Sequence, residues 1–325
     1  MNEMFLQLQQ LDSVELNFGS NGGLVLSIVQ AFVMFGVSLS IKPLHFKTAF
    51  YHPKSVITGV LAQIVVLPLV TFAGVWLFKD YLTVTVALGA ILVACCPGGN
   101  ISNFISSVSK GNIELSVSLT AISTVSAVVI TPLNFTFWGG LFISSSDLVR
   151  ELTIPVSEVF KTLFLIIGVP LFLGVLCSKK LPELTRRIAK PVQRISLGIF
   201  MALVVVAFVA NYEYFVEYIK YILVIVLIHN ALAFLAGNFS ARIAGLNDKD
   251  IKTLTIETGI QNSGLALMLI FNPEIFPKET ATGGMAFMAA WWGVWHIISG
   301  LSISAYWNLS RKIRYNNLQK NRKTV

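Results

Sequence analysis

The chain has 325 residues, 55% hydrophobic and 12% charged, with a formal net charge of +8. A soluble domain carries roughly 25% charged residues, so this composition excludes a soluble catalytic domain and describes an all-α polytopic membrane protein. Nucleic acid is excluded as a partner, because the Lys and Arg residues fall in short connections and at the C-terminus, the orientation pattern of a membrane protein. Cys95, Cys96 and Cys177 lie in or beside apolar segments and form neither a disulfide framework nor a zinc-ligand spacing.

Residues 1–23 contain no Lys or Arg and lack the pattern of a cleavable signal peptide. They are read as an extracellular or periplasmic segment. Nine hydrophobic spans follow, at 24–41, 55–78, 83–107, 113–143, 162–177, 195–210, 221–240, 253–271 and 283–306. Each is near or above the ~20 residues that cross ~30 Å of hydrocarbon. Segment 144–161, with Asp147, Arg150, Glu151 and Glu158, is read as a connecting loop in preference to an interfacial amphipathic helix. Segment 307–325 is a basic tail, explained by a solvated end held near anionic lipid.

The connections assign orientation. Lys42, Lys47 and Lys54, then Lys110, then Lys179 to Arg194, then Arg242, Lys249 and Lys252, and finally the tail, all fall on one side. The opposite side holds only Lys79, Arg150, Lys161, Lys220 and Lys278. Positive charge marks the cytoplasm, so the N-terminus is predicted outside and the C-terminus inside the cell (inner) membrane. A transporter domain at 24–306 divides into halves 24–143 and 162–306.

Glu257 is the most informative residue. The only other acid inside a candidate span is Glu114, near a span end. A carboxylate in hydrocarbon costs about 2.5–3.5 kcal/mol, a cost with little reason to persist unless the charge holds something. Its segment, Glu257-Thr258-Gly259-Ile260-Gln261-Asn262-Ser263-Gly264, is rich in glycine and polar side chains, and the helix is expected to open there. The span at 83–107 has the same grammar in Pro97-Gly98-Gly99-Asn100-Ile101-Ser102-Asn103. Backbone at membrane depth leaves the helix only where protein or a cavity satisfies it. Two broken helices in corresponding positions of two halves point to a transporter site near the midplane. The offset of five spans pairs the second with the seventh and the fourth with the ninth, which makes the halves inverted. The fifth span has no partner. The plain alternative for each break, a kink or tight helix crossing, would suffice for a single Gly pair but not for both together.

These residues resemble the bile acid:sodium symporter family, and the chain looks like a bacterial member of it. The resemblance rests on Cys95-Cys96-Pro97-Gly98-Gly99-Asn100-Ile101-Ser102-Asn103, on Gly111 to Thr120 with Thr131-Pro132, and on Thr253 to Ala266. Further matching pieces are Ala62-Gln63 with Pro68, Leu227 to Asn230, and Trp295-His296 before Ser299-Gly300. It implies core and panel domains, two discontinuous crossing helices, and alternating access. It also implies two Na⁺ sites. The first would use Ser102, Asn103, Ser116, Thr120 and Glu257, and the second Gln63, Glu257 and Gln261 with the carbonyls of Thr258 and Ile260. Departures fall on the substrate side: Asn100 stands where a small residue is usual, and Ile297 where some bacterial relatives carry Asn.

Hydroxyl, amide and carboxylate oxygens suit a hard cation. Asn100, Asn262, Ser263 and His296 are the candidate substrate-binding residues, and half-helix N-termini favour an anion. The expected activity is sodium-coupled import of an organic anion, bile-acid-like or a small monocarboxylate, with no catalytic residue. The alternatives are a proton-coupled or uncoupled exporter on the same architecture and, remotely, a serine hydrolase using Ser263 and His296 without a nucleophile elbow. His229 is read as a structural histidine; Trp291, Trp292 and Trp295 are read as packing or an interfacial belt; and Cys95 and Cys96 are read as buried rather than metal-binding. Membrane lipid is the expected surrounding partner, and the sequence names no protein partner.

Overall fold

The structure is a computed structural model that describes residues 3–12, 14, 22–39, 41, 51–145, 156–277 and 280–323. In chain order its helices are α1 (Glu3–Asp12), α2 (Gly22–Ser38), α3 (Pro53–Leu77), α4 (Val84–Cys95), α5 (Ile101–Val108) and α6 (Ile113–Ser145). They continue with α7 (Val156–Lys180), α8 (Pro182–Ala210), α9 (Tyr212–Ile243), α10 (Asp248–Gly259), α11 (Ser263–Ile270) and α12 (Gly283–Lys323). Among the described residues the only β-type pairing is an isolated antiparallel bridge between Gly98 and Gln261. Among the described residues five helices are long and apolar enough to cross a membrane: α3, α6, α7, α9 and residues Gly283–Ile313 of α12. The chain is therefore an all-α polytopic membrane protein.

Two of the expected spans are each a pair of short helices. The 83–107 span is α4 and α5, and the 253–271 span is α10 and α11. Every residue of α4 is buried, and α3, α6 and α12 pack around it. α10 lies along α9, while α2, α7 and α8 pack together on another side. α2 also reaches α11, and α6 reaches α7.

Two helices contain a π-helical turn, Ala62–Val66 in α3 and Phe164–Gly168 in α7. Each precedes a proline, Pro68 or Pro170. Proline has no N–H to close the usual ladder. In α3 the Ile64 carbonyl is satisfied instead by Asn134 Nδ2 of α6, at 2.8 Å. Inserted π turns frequently mark functional positions, and this one carries Gln63.

Three segments carry more helix than the sequence reading assigned to them. In the N-terminal segment Glu3–Asp12 is helical and buries Leu8 and Leu11 against the ends of α4, α9 and α12. The 144–161 connection is shorter than expected: α6 runs to Ser145 and α7 starts at Val156, with Val159, Thr162 and Leu163 buried. The acids and arginine at 147–151 lie outside the described residues, as do Lys42, Lys47 and Lys278. The basic tail continues α12 as far as Lys323.

Candidate ion and anion site

The site forms where the two broken helices cross. α4 ends at Cys95 and α5 begins at Ile101; α10 ends at Gly259 and α11 begins at Ser263. Two helix C-termini and two N-termini therefore converge on one place. The opened backbones satisfy each other: Gly99 N–H donates to the Ile260 carbonyl and Asn262 N–H to the Pro97 carbonyl, both at 2.8 Å. The Gly259 carbonyl accepts from Asn230 Nδ2 at 2.8 Å, and Asn230 Oδ1 accepts from Ser299 Oγ at 2.5 Å. A Cβ at Gly98 would lie 2.8 Å from Gln63 Nε2 and 3.2 Å from Glu257 Oε2, so the crossing requires glycine there.

Glu257 projects from α10 into this crossing and is 1% exposed. Its Oε1 accepts from Ser102 Oγ of α5 at 2.7 Å and from Ser116 Oγ of α6. Its Oε2 accepts from Thr120 Oγ1 at 3.0 Å. Asn103 Oδ1 lies 2.9 Å from Ser116 Oγ and 3.3 Å from Thr120 Oγ1, an alternative acceptor for the single proton of each hydroxyl. All five residues expected in the first set thus meet. Ser116 and Thr120 share a face because they are one turn apart. The ion pairs among the described residues are Lys161–Glu158, Lys161–Glu274 and Arg186–Glu183, so none neutralises Glu257. A buried carboxylate without a cationic side chain is a costly arrangement that an incoming cation relieves. A hydroxyl can donate to the carboxylate and still offer lone pairs to an ion.

The second expected set surrounds the other side of the same residue. Gln63 Nε2 donates to the Glu257 main-chain carbonyl, and Gln261 Nε2 to the Thr258 carbonyl, each at 2.9 Å. The Ile260 carbonyl is the one that receives Gly99 N–H. Gln63 Oε1, Gln261 Oε1 and Thr258 Oγ1 are buried with no hydrogen-bond partner among the described residues. Such oxygens normally find partners in folded proteins. Gln63, Cys96, Pro97, Ser123, Ser126 and Asn134 line a small cavity with room for about one water-sized body. Among the described residues no three His, Cys, Asp or Glu side chains come together as a metal-binding group. The convergent oxygens are hydroxyl, amide, carbonyl and a single carboxylate, a donor set for a hard cation rather than a transition metal.

The substrate candidates divide. Asn100 is exposed at the start of α5, where it makes no side-chain cap. Asn262 Oδ1 caps α11 through Leu265 N at 3.0 Å. Ser263 is buried against Gly293, where a Cβ would come within 2.6 Å of its Oγ. His296 is buried on α12 with Nδ1 unbonded. No hydrogen bond joins Ser263 to His296 among the described residues, so the hydrolase pairing lacks its nucleophile–base contact. His229 bonds Thr71 Oγ1 through Nε2 at 2.8 Å and lies 4.6 Å, centroid to centroid, from Trp292, which is fully buried. Cys95 and Cys96 are free, buried thiols. Sequence reasoning did not find the roles of Asn230 and Asn134. Asn134 had no signal beyond an amide within an apolar run, and Asn230 had in addition only its place in the Leu227 to Asn230 motif piece.

Residues 27–218 match the family described as the sodium bile acid symporter family. Over 289 residues the chain is 30% identical to a Bacillus subtilis protein named uncharacterized sodium-dependent transporter YocS, covering 89% of this chain and 84% of that one. It is 29% identical over 278 residues to the human ileal sodium/bile acid cotransporter, covering 83% and 78%. It is also 30% identical over 275 residues to the rice probable sodium/metabolite cotransporter BASS2, chloroplastic, covering 80% of this chain but only 62% of the plant protein. With a match over more than half its length and an all-α fold containing membrane-length helices, the chain belongs to the sodium bile acid symporter family and is an integral membrane transporter, not an enzyme.

Proposed function

We propose that this protein is a sodium-coupled symporter that imports an organic anion, bile-acid-like or a small monocarboxylate, by alternating access. One observation carries the reading: hydroxyl and amide oxygens from α5 and α6 converge on the buried Glu257 carboxylate where α4–α5 crosses α10–α11. One Na⁺ binds among Ser102, Asn103, Ser116, Thr120 and Glu257. A second binds between Gln63, Glu257 and Gln261 and the carbonyls of Thr258 and Ile260, where the unbonded amide oxygens support it. The names of the relatives, which pair sodium with bile acid or metabolite, agree with this cargo.

The anion sits at the N-termini of α5 and α11, where partial positive charge gathers, near Asn100, Asn262, Ser263 and His296. α2, α7 and α8 act as a panel against which the remaining helices move, as nine spans with inverted halves. The N-terminus lies outside the inner membrane and the C-terminus in the cytoplasm. Lys252 Nζ reaches the Ser109 carbonyl at 3.2 Å and lies 5.5 Å from the Trp307 ring centroid. This brings the connections near Lys110 and Lys249 and the end of α12 to one side, in support of that orientation. Two Na⁺ with one monovalent anion carry one net positive charge inward, worth ~2.3 kcal/mol per 100 mV.

Proteoliposomes given an inward sodium gradient at fixed pH should accumulate a labelled carboxylate and generate inward current. Accumulation that follows an imposed proton gradient without sodium would overturn the reading in favour of proton coupling. Uptake without current would overturn the stoichiometry.

A further inference from the structure

The polar contacts around Glu257 are matched by a second set one helical turn away, at the end of the same helices. Thr253 Oγ1 accepts the Asn112 N–H at 2.7 Å and donates to the Asn112 carbonyl at 3.2 Å. That carbonyl also accepts the Ser116 N–H at 3.0 Å. Asn112 precedes Ser116 by one turn of α6, and Thr253 precedes Glu257 by one turn of α10. The pair Asn112–Thr253 is therefore in register with the pair Ser116–Glu257. The Asn112 side chain extends the joint: Nδ2 donates to Asp250 Oδ1 at 2.8 Å, and Oδ1 caps Leu115 N at 3.1 Å. Asp250 Oδ2 accepts from Ser55 Oγ at 2.7 Å. Ser55 lies in the first turn of α3, about two turns before Gln63.

Asp250 is 4% exposed and Thr253 is fully buried. The approach is close enough that a Cβ at Gly111 would come within 2.6 Å of Thr253 Oγ1 and 3.2 Å of the Ser106 carbonyl. The helices that bring Gln63, Ser116 with Thr120, and Glu257 to the ion sites are thus fastened together at one end. None of the fastening residues reaches an ion site.

We propose that Asn112, Thr253 and Asp250, with Ser55, form a clamp that sets the register of α6 and α3 against α10 and so tunes sodium affinity. The inference rests on the sodium-site reading of Glu257. Coordinating groups perform only when held within about 0.5 Å of their productive places. Outer residues that orient ligands typically change ion affinity by about 10–100-fold. Clamp residues are positioning residues, so their effect falls on the sodium midpoint and not on substrate recognition.

The test is a sodium titration of the thermal stability of the purified full chain without substrate, with uptake kinetics at saturating sodium as the second readout. Thr253→Val and Asn112→Ala are expected to raise the sodium midpoint about tenfold. Thr253→Ser, which keeps the hydroxyl, is expected to restore it, and KM for the transported carboxylate at saturating sodium stays that of the unmodified protein. Ser55→Ala removes one donor without orphaning a main-chain N–H. It shifts the midpoint in the same direction by a smaller factor and decides the matter if Thr253→Val does not purify. A Thr253→Val or Ser55→Ala protein with an unchanged sodium midpoint overturns the clamp, as does a changed KM with an unchanged midpoint. Glu257→Gln separates the two failures. If that variant keeps its sodium-dependent stabilisation, the sodium site itself is wrongly assigned. If it loses the stabilisation while the clamp variants titrate normally, only the clamp fails.

Discussion

Gln63 donates from Nε2 to the main-chain carbonyl of Glu257 at 2.9 Å, from the π-helical turn of one helix to the last turn of another. Glu257 thus meets α5 and α6 through its carboxylate and α3 through its main chain. The two proposed sodium positions share this residue, and occupancy of one bears directly on the geometry of the other.

Replacing Gln63 by Leu keeps the bulk and removes both the grip on the Glu257 carbonyl and the buried Oε1. The second ion position is expected to be lost while the first persists. Sodium activation of uptake then falls from a sigmoidal curve to a hyperbola with a Hill coefficient of about 1. A sigmoidal curve in the variant would show that Gln63 takes no part in ion binding.

Gly98→Ala tests the tightness of the crossing. The added methyl would stand 2.8 Å from Gln63 Nε2, 3.2 Å from Glu257 Oε2 and 3.6 Å from Ser123 Oγ. Overpacking of this kind costs about 1–3 kcal/mol, and here two of the displaced side chains, Gln63 and Glu257, belong to the proposed ion sites. The expected outcome is a folded protein, with a lower thermal midpoint, whose sodium-driven uptake falls below a tenth of normal. Unimpaired uptake would mean that the crossing opens more widely during transport than the structure indicates.

Asn262 has a capping role that must be separated from any contact with substrate. Its Oδ1 accepts Leu265 N at 3.0 Å at the start of α11. Asn262→Asp preserves the cap and adds a negative charge beside the proposed anion site, whereas Asn262→Ala removes a cap worth about 1 kcal/mol. The Asp variant should therefore keep the thermal midpoint and lose uptake of carboxylates through a raised KM. An Asp variant that transports carboxylates with normal KM would move the anion away from this helix end.

Asp12 supplies a pH test outside the membrane spans. Burial raises its carboxyl from 3.8 to about 6, against the opposing hydrogen bonds from Thr85 and Thr83 at the start of α4. The folded chain therefore holds this proton more tightly than the unfolded chain does. By linkage, stability from this group falls as pH rises from about 4 to about 6 and stays low above that. Asp12→Asn keeps an acceptor for the threonines and removes the charge. The thermal-midpoint difference between variant and unmodified protein should grow in favour of Asn across that window and then level off. A difference independent of pH would show that Asp12 titrates like an exposed carboxyl.

The features legible in the sequence were those with a local signature. Glu257 stood out because a charge in an apolar span is rare, and Pro97-Gly98-Gly99 and Gly259 to Asn262 marked the breaks because such residues disrupt helices. The four residues gathered around the Glu257 carboxylate were assigned through motif resemblance, and α5, α6 and α10 do bring the set together. What remained hidden depends on partners far along the chain. Asn134 completes the Ile64 carbonyl 70 residues away, and Asn112 meets Thr253 141 residues away. Neither pairing has a periodic or spacing signal. The helix at Glu3–Asp12 was missed because its pattern is weakly apolar, and only docking of Leu8 and Leu11 justifies it. The start of α7 was misplaced because Glu158 and Lys161 looked like loop residues, although they face outward from a helix whose Val159 and Leu163 are buried.

The central claim is tested most directly by equilibrium binding of radioactive sodium to the purified protein, in parallel with its Glu257→Gln form. The account predicts saturable sodium binding to the unmodified protein and near-complete loss in the variant, with both proteins remaining folded. Equal saturable binding to the two forms would contradict it.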